Sequence, residues 1–318
     1  MFTSPDGLCG IGELAERAGV TVKTVRFYSD RGLLPEASRT TGGHRRYGPD
    51  ALDRLRLIRS LRALDLPLPE VRRILDEEDA AQAAGSALED AVAGQLRSLG
   101  SRLTALRWRE AALRLVQESP PAQRAERLRL IGALTTPPST APLARFWRAW
   151  LPARMPARST AAFLDVAVPH PPDDPRPAQV LAFARLTAVT SAPCQGARQP
   201  QPEAHRAVGA RGAAVLYEGL AEAYELAAVQ MRRDRAPYAG DALDGFVAAY
   251  ARAYGVRDGP DFRRGLAVRL AGDPRLDGYW ELVSEMTTPP GRRPEPTPGS
   301  AHDWLLAALD AQTARDPA

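Results

Sequence analysis

A mainly α-helical chain is what the sequence predicts, and three observations predict it. Apolar residues recur at three- and four-residue spacing along most of the 318 residues, which places them on one face of a helix. Between Val92 and Leu113 they fall into heptads, the pattern of a two-stranded coiled coil. Prolines and glycines cluster between the periodic stretches, where they break helices. The carboxy-terminal part shows no convincing strand alternation and no fixed-period repeat.

The first helix is expected over 11–18, with Ile11, Leu14, Ala15 and Ala18 on one face and Gly19 as its stop. Thr21 follows as an N-cap, its hydroxyl placed to accept a backbone N–H. The next helix is short and basic and ends at Gly32. Val22, Val25 and Ser29 share one side of it; Lys23, Arg26 and Phe27 lie elsewhere, with Phe27 expected to pack in the core. Residues 33–48 are rich in Pro, Thr, Gly and Arg, and Thr41-Gly42-Gly43 suits a hairpin tip. Asp50 is expected to cap a longer helix carrying Leu52, Leu55, Ile58, Leu61 and Leu64. A break at 65–69 precedes a short helix over 69–75, with proline in its first turn.

A long helix is expected over about 87–118. Val92, Leu99, Leu106 and Leu113 recur every seven residues, and Leu96 and Leu103 sit four after two of them. These six residues form the expected seam of a coiled coil, interrupted at Glu110. Ser119-Pro120-Pro121 ends the helix. Further helices are expected over 122–134, 143–151, 159–168, 178–190, 205–232, 242–255, 261–271, 277–286 and 302–311. The Pro-rich stretch 289–298 reads as a connector.

The formal charge is only +4, but its distribution is uneven. Between Thr21 and Arg62, ten basic residues (Lys23, Arg26, Arg31, Arg39, Arg45, Arg46, Arg54, Arg56, Arg59, Arg62) face four acids, a net +6 that leaves −2 for the rest. Such clustering is the electrostatic footprint expected for nucleic acid. Lys23 is the only lysine, so arginine richness by itself is partly a compositional habit. Cys9 and Cys194 form neither a metal-ligand spacing nor a disulfide framework and read as unrelated thiols in a reducing cytosol. The amino terminus lacks the basic patch and apolar run of a signal peptide. No run of about 18 apolar residues is present to span a membrane. A soluble, cytoplasmic protein with no membrane partner is therefore expected. Residues 122–318 hold no nucleophile motif, phosphate loop or metal cluster, and His44, His170, His205 and His302 lie far apart. Neither enzyme activity nor a metal or other cofactor is expected.

Four features occur together and in order. They are Arg26-Phe27-Tyr28, the exit Gly32-Leu33-Leu34-Pro35, the stretch from Gly42 to Tyr47, and a helix pair joined through Leu66-Pro67-Leu68-Pro69-Glu70-Val71. With the heptad helix behind them, residues 9–118, a third of the chain, resemble the MerR family of bacterial transcription regulators. The resemblance implies a winged helix-turn-helix and a homodimer joined by a long antiparallel coiled coil. It implies a pseudo-palindromic site in double-stranded promoter DNA whose spacer is too long. The dimer then bends and untwists that DNA to align the promoter elements for RNA polymerase, which is indirect readout. Thr21, Lys23 and Thr24 are expected to reach base edges in the major groove. Arg26 and Tyr28 are expected to contact phosphates, which fix register. Arg39, His44, Arg45, Arg46 and Tyr47 are expected to form the wing and grip the flanking backbone. His44 and Arg46 stand where many members carry an aromatic and an aliphatic residue. The domains expected are a tail at 1–8, the winged module at 9–80, the dimerisation helix at 86–118 and an all-α domain at 119–318.

Metal and redox sensors of the family place cysteines at the end of the long helix, and 117–121 has none. Nor does the tail show a cobalamin-type strand–helix unit or a β-rich effector domain. What remains is a helical domain rich in aromatics. Trp147, Trp150, Tyr217, Tyr224, Tyr250, Tyr254, Tyr279 and Trp280 are the candidate lining of an effector pocket, since ligand sites are concave, apolar and often aromatic. Rings at helical spacing equally suit a plain core. Tyr217, Leu220 and Tyr224 share one face, and Glu218, Glu222 and Glu225 are expected on the solvated opposite one. The function expected is a sequence-specific, DNA-bending regulator controlled by an unknown small molecule in the helical domain. The alternative is a ligand-independent architectural or developmental regulator whose helical domain docks a partner protein.

Overall fold

The structure, a computed structural model, describes residues 7–79, 86–152, 155–191, 205, 208, 210–271 and 277–315. Cys194, the Pro/Gly cluster at 193–202 and most of the expected tail at 1–8 lie outside the described residues. The chain divides into two compact units, Met1–Arg102 and Leu103–Ala318.

The first unit opens with β1 (Cys9–Gly10), α1 (Ile11–Ala18) and α2 (Val22–Asp30). Gly19 closes α1 at φ 63°, a left-handed backbone that glycine enters without a Cβ penalty. The Thr21 hydroxyl accepts the Thr24 N–H at 3.2 Å, so the expected cap is present. Next come β2 (Ser38–Arg39) and β3 (Arg45–Tyr47). The strands form one antiparallel sheet in the order β1-β3-β2, with Cys9 opposite Tyr47 and Arg39 opposite Arg45. Gly43, at φ 78°, makes the tip between β2 and β3, and its N–H bonds the Thr40 carbonyl at 2.8 Å. The helices α3 (Ala51–Ala63) and α4 (Leu68–Asp79) complete the module. Its core gathers Leu14, Val25, Leu34, Tyr47, Leu55, Ile58, Leu66 and Leu75, together with Ala87 and Ala91 from the start of α5 (Ser86–Glu118).

Three expectations are corrected here. Asp50 precedes α3, but its side chain makes no capping bond, because its own backbone is already helical at φ −77° and ψ −12°. Leu64 lies beyond the end of α3, off its apolar face, and is exposed. The helix expected over 69–75 runs a turn further, to Asp79. That extension carries Glu77 to the start of α5, where its carboxylate accepts from Ser86 Oγ at 2.6 Å and from the Ala87 N–H at 2.8 Å. Glu77 thus satisfies donors that every helix start leaves open, and the Ser86 bond holds its carboxyl below the usual range.

The second unit contains α6 (Pro121–Gly132), α7 (Ala141–Trp150), α8 (Ala157–Ala167), α9 (Pro177–Ser191), α10 (Ala210–Arg232), α11 (Asp241–Tyr254), α12 (Pro260–Ala271), α13 (Asp277–Thr287) and α14 (Pro298–Arg315). No strand occurs in it among the described residues. Its compact boundary falls inside the long helix, because Trp108, Ala111 and Leu115 of α5 are buried against Leu143, Trp147, Phe183, Leu186 and Val283. Trp108 also donates its indole N–H to the Pro172 carbonyl at 2.9 Å. A second core joins α10, α11, α12 and α14 through Leu216, Leu220, Phe246, Val247, Leu266, Leu305 and Leu309. Among the described residues, no helix is long and apolar enough to cross a membrane.

Candidate nucleic-acid interface

Helix α2 turns Val25 and Tyr28 into the core. A helix advances about 100° per residue, so the remaining positions face outward. Thr21, Lys23 and Arg26 are exposed and Thr24 is partly so. Thr21 and Thr24 are also bonded to each other, their hydroxyls 2.9 Å apart. Phe27 is 41% exposed, against the expectation that it packs in the core. The spacing of Val25 and Tyr28 fixes the buried stripe and leaves Phe27 off it. Its ring stands edge-on to Tyr28 at 5.3 Å and is covered by the Arg31 guanidinium, 4.4 Å from the ring centre.

The wing residues divide into three kinds. His44 is exposed at the tip. Arg39 and Arg45 are ion-paired: Arg39 with Glu36 at 2.8 Å, Arg45 with Asp30 at 2.5 Å and Glu36 at 3.4 Å. The Asp30 hydrogen bond pushes the Arg45 guanidinium still further above its ordinary value. Arg46 and Tyr47 serve the module itself. Arg46 donates to the Leu8 carbonyl at 2.8 Å, tying the chain start to the sheet. Tyr47 is fully buried, so its expected grip on the backbone is replaced by packing beneath the wing. Alternation along β3 explains why Arg46 departs from its neighbours.

The basic cluster is therefore only partly a charged surface. Arg54, Arg59 and Arg62 donate to the carbonyls of Leu33, Ala18 and Leu66, closing backbone acceptors that the turns leave open. Among the described residues, Lys23 and Arg26 are exposed cations with no ion pair or hydrogen bond shown to another side chain. Sequence reasoning missed Asp30 and Glu36, which it counted only as charge to subtract. Their role depends on the register of β3 beside the end of α2, which no local pattern reveals.

Along α5, every expected seam residue lies on the surface. The exposed fractions are 36% for Val92, 63% for Leu96, 42% for Leu99, 53% for Leu103, 57% for Leu106 and 66% for Leu113. Glu110, at the interruption, pairs with Arg114 at 2.5 Å.

Most of the aromatic candidates of the second unit are linked ring to ring, Trp150 standing edge-on to His205 at 6.0 Å. Trp147, fully buried, contacts Trp150, Tyr279 and Trp280 at ring distances of 5.3, 5.0 and 5.7 Å. His205 bridges Tyr217 and Tyr250, each hydroxyl 3.1 Å from one ring nitrogen. Burial pushes the His205 ring down to about 3 and holds it neutral, with His302 adding to the effect. Tyr224 bonds His302 at 3.0 Å. Tyr254 packs against the second core, edge-on to Phe262 and under Arg269. Trp147, Tyr217, Tyr250 and Tyr279 are thus core residues, because ring-on-ring packing has consumed their faces. Two histidines that the sequence separates widely, His205 and His302, lie close enough for the charge of one to act on the other, each bonded to its own tyrosines, while Glu218, Glu222 and Glu225 are exposed as expected.

A capped helix pair followed by a two-stranded tip on a three-stranded sheet defines a winged helix-turn-helix protein. Residues 9–78 match the family described as MerR HTH family regulatory protein. The HTH-type transcriptional regulator ZntR homolog of Haemophilus influenzae is 33% identical over 93 residues, 29% of this chain and 69% of that protein. The chain belongs to the MerR family. The Nodulation protein NolA of Bradyrhizobium sp. (strain NC92) is 48% identical over 66 residues, 21% of this chain and only 28% of its own length. The crystal structure of the transcription regulator PbrR691 from Ralstonia metallidurans CH34 in complex with lead(II) is 36% identical, covering 34% of this chain and 84% of that one at a TM-score of 0.32.

Proposed function

We propose that this protein is a sequence-specific DNA-binding regulator that acts as a homodimer and bends promoter DNA whose spacer is too long. One observation carries the reading: α2, seated by its Thr21 cap, presents Lys23 and Arg26 beside a wing, with no ion pair among the described residues. A short helix with basic residues on its open face suits a major groove, and the flanking cations suit phosphates. The exposed apolar stripe on α5 supports the dimer, since a run of exposed Leu and Val is costly unless a partner covers it. In this reading Thr21, Lys23 and Thr24 read bases, and Arg26, Arg39, His44 and Arg45 meet the backbone, while Tyr28, expected there as well, is packed in the core. RNA polymerase acts on the realigned promoter, in the cytoplasm at the nucleoid. The test is a footprint on the protein's own promoter at modest salt. Protection across an over-long spacer, with enhanced cleavage at its centre, is expected; equal retardation of unrelated DNA sinks the reading.

The signal enters through residues 119–318, from a small molecule held among the helices. A second reading, in which this part docks a partner protein, is favoured by the packing of Trp147, Tyr250 and Tyr279 on their neighbours. Tryptophan fluorescence titrated against a metabolite panel separates the two. A saturable change supports an effector, and a flat response across the panel supports a protein partner.

A further inference from the structure

The wing's arginines are not free. Arg39 directs Nε and Nη2 at one oxygen of Glu36, at 2.9 and 2.8 Å. Arg45 reaches the other Glu36 oxygen through Nε at 3.4 Å and Asp30 Oδ1 through Nη2 at 2.5 Å. Glu36 therefore bridges both arginines, and the four groups sum to no net charge. None of the four is sealed from water: the side chains are 53% exposed for Arg39, 22% for Arg45, 51% for Asp30 and 33% for Glu36. Asp30 is the last residue of α2. An acid there is disfavoured by the negative end of the helix dipole. A partner cation offsets that effect, and Arg45 is it.

We propose that Asp30 and Glu36 set DNA specificity, by holding Arg45 and Arg39 in a neutral cluster that opens only to phosphates brought into register by a correctly seated α2. The inference rests on the DNA-binding reading above. A loosely held duplex meets a cluster with no net attraction, and exposed charges a Debye length away are screened. A phosphate at hydrogen-bond distance is another oxyanion and can take over the guanidinium fork from the carboxylate. The exchange is close to balanced, so it rewards geometry more than charge. Without the carboxylates, the same two cations would attract any duplex.

The experiment compares the full chain with Asp30→Asn, Glu36→Gln and the double variant. Anisotropy titrations use the protein's own promoter fragment and a random duplex of equal length, across a salt series. Each freed cation that finds a phosphate steepens the slope of log affinity against log salt by about 0.9, which is roughly eightfold at 0.1 M salt. The double variant is expected to bind the random duplex roughly tenfold or more tighter, with a slope steeper by about 1–2. Promoter affinity should change less, so the ratio between the two DNAs falls. Glu70→Gln, which neutralises an acid paired with Arg73 at 2.9 Å on α4, is the charge-matched control for each single variant. An unchanged slope and ratio in the double variant overturns the proposal. So does an equal gain in Glu70→Gln, or an equal loss on both DNAs with an unchanged melting curve. Should the wild-type chain fail to prefer its promoter, the DNA-binding reading falls, and this inference falls with it. Glu36→Gln, on a loop and nearly isosteric, gives a second reading if the double variant folds poorly.

Discussion

Arg26 is an exposed cation on α2 with its guanidinium uncommitted among the described residues. Removing one phosphate contact weakens binding to all sequences alike and flattens the salt dependence. Arg26→Ala should lose roughly eightfold in affinity at 0.1 M salt, with the salt slope shallower by about 0.9. Titrations at several salt concentrations check this, and an unchanged slope would refute the contact. His205 supplies a residue-scale prediction of a different kind. Its pKa falls from 6.5 to about 3, chiefly by burial. The unfolded chain then binds the proton more readily than the folded one between these values. The neutral ring's contribution is fully present above pH 6.5 and is lost as pH falls toward about 3. Thermal midpoints measured from pH 7.5 down to about 4 should drop, and His205→Asn should drop less steeply over that range. The Thr21 cap was legible in the sequence because N-caps are local. The Asp30–Arg45–Glu36 cluster was not, since its members meet only after the sheet forms.

At the scale of elements, helix limits were legible to within a residue or two at Gly19, Pro121, Pro177 and Gly255, but α14, expected over 302–311, starts at Pro298, inside the expected connector, and runs on to Arg315. They were less legible where tertiary contacts set them. Helix α4 extends to Asp79 so that Glu77 can cap α5, and that need lies in another element. The α10–α11 pair depends on a detail that spacing alone does not show. A Cβ on Gly219 would lie 2.7 Å from Ala249 Cβ, so this glycine sets how closely the two helices approach. Overpacking of this kind costs typically ~1–3 kcal/mol, beyond the ~1 kcal/mol that alanine gains in helix propensity. Gly219→Ala should therefore lower the unfolding free energy by a net of up to ~2 kcal/mol, read as a lower denaturant midpoint with the m-value unchanged. A stabilised variant would show that the helices give way at little cost.

At the scale of the whole molecule, the long helix is read twice by its surroundings. One stripe of α5 is already covered within the chain, through Ala87 and Ala91 in the first unit and Trp108, Ala111 and Leu115 in the second. The heptad stripe is a different set of residues and remains open. An amphipathic helix that only lay on its own domain would leave one polar stripe; α5 has two apolar stripes, and a single chain buries one. Each Leu removed from water contributes ~1.5–3 kcal/mol, so pairing two copies along six such positions is favourable, and exposing them in a free monomer is not. Leu99 and Leu106, two turns apart at the middle of the stripe, are the sensitive positions. Leu99→Glu with Leu106→Glu should leave the helix content unchanged, because neither side chain touches the chain's own core. It should convert the dimer to monomer by light scattering. Each monomer holds only one winged module, so affinity for a pseudo-palindromic site should fall by 100-fold or more, on the order of the avidity that two linked modules provide. A dimer that persists in this variant would mean that the chain pairs through another surface, and that the open stripe of α5 is covered by something else.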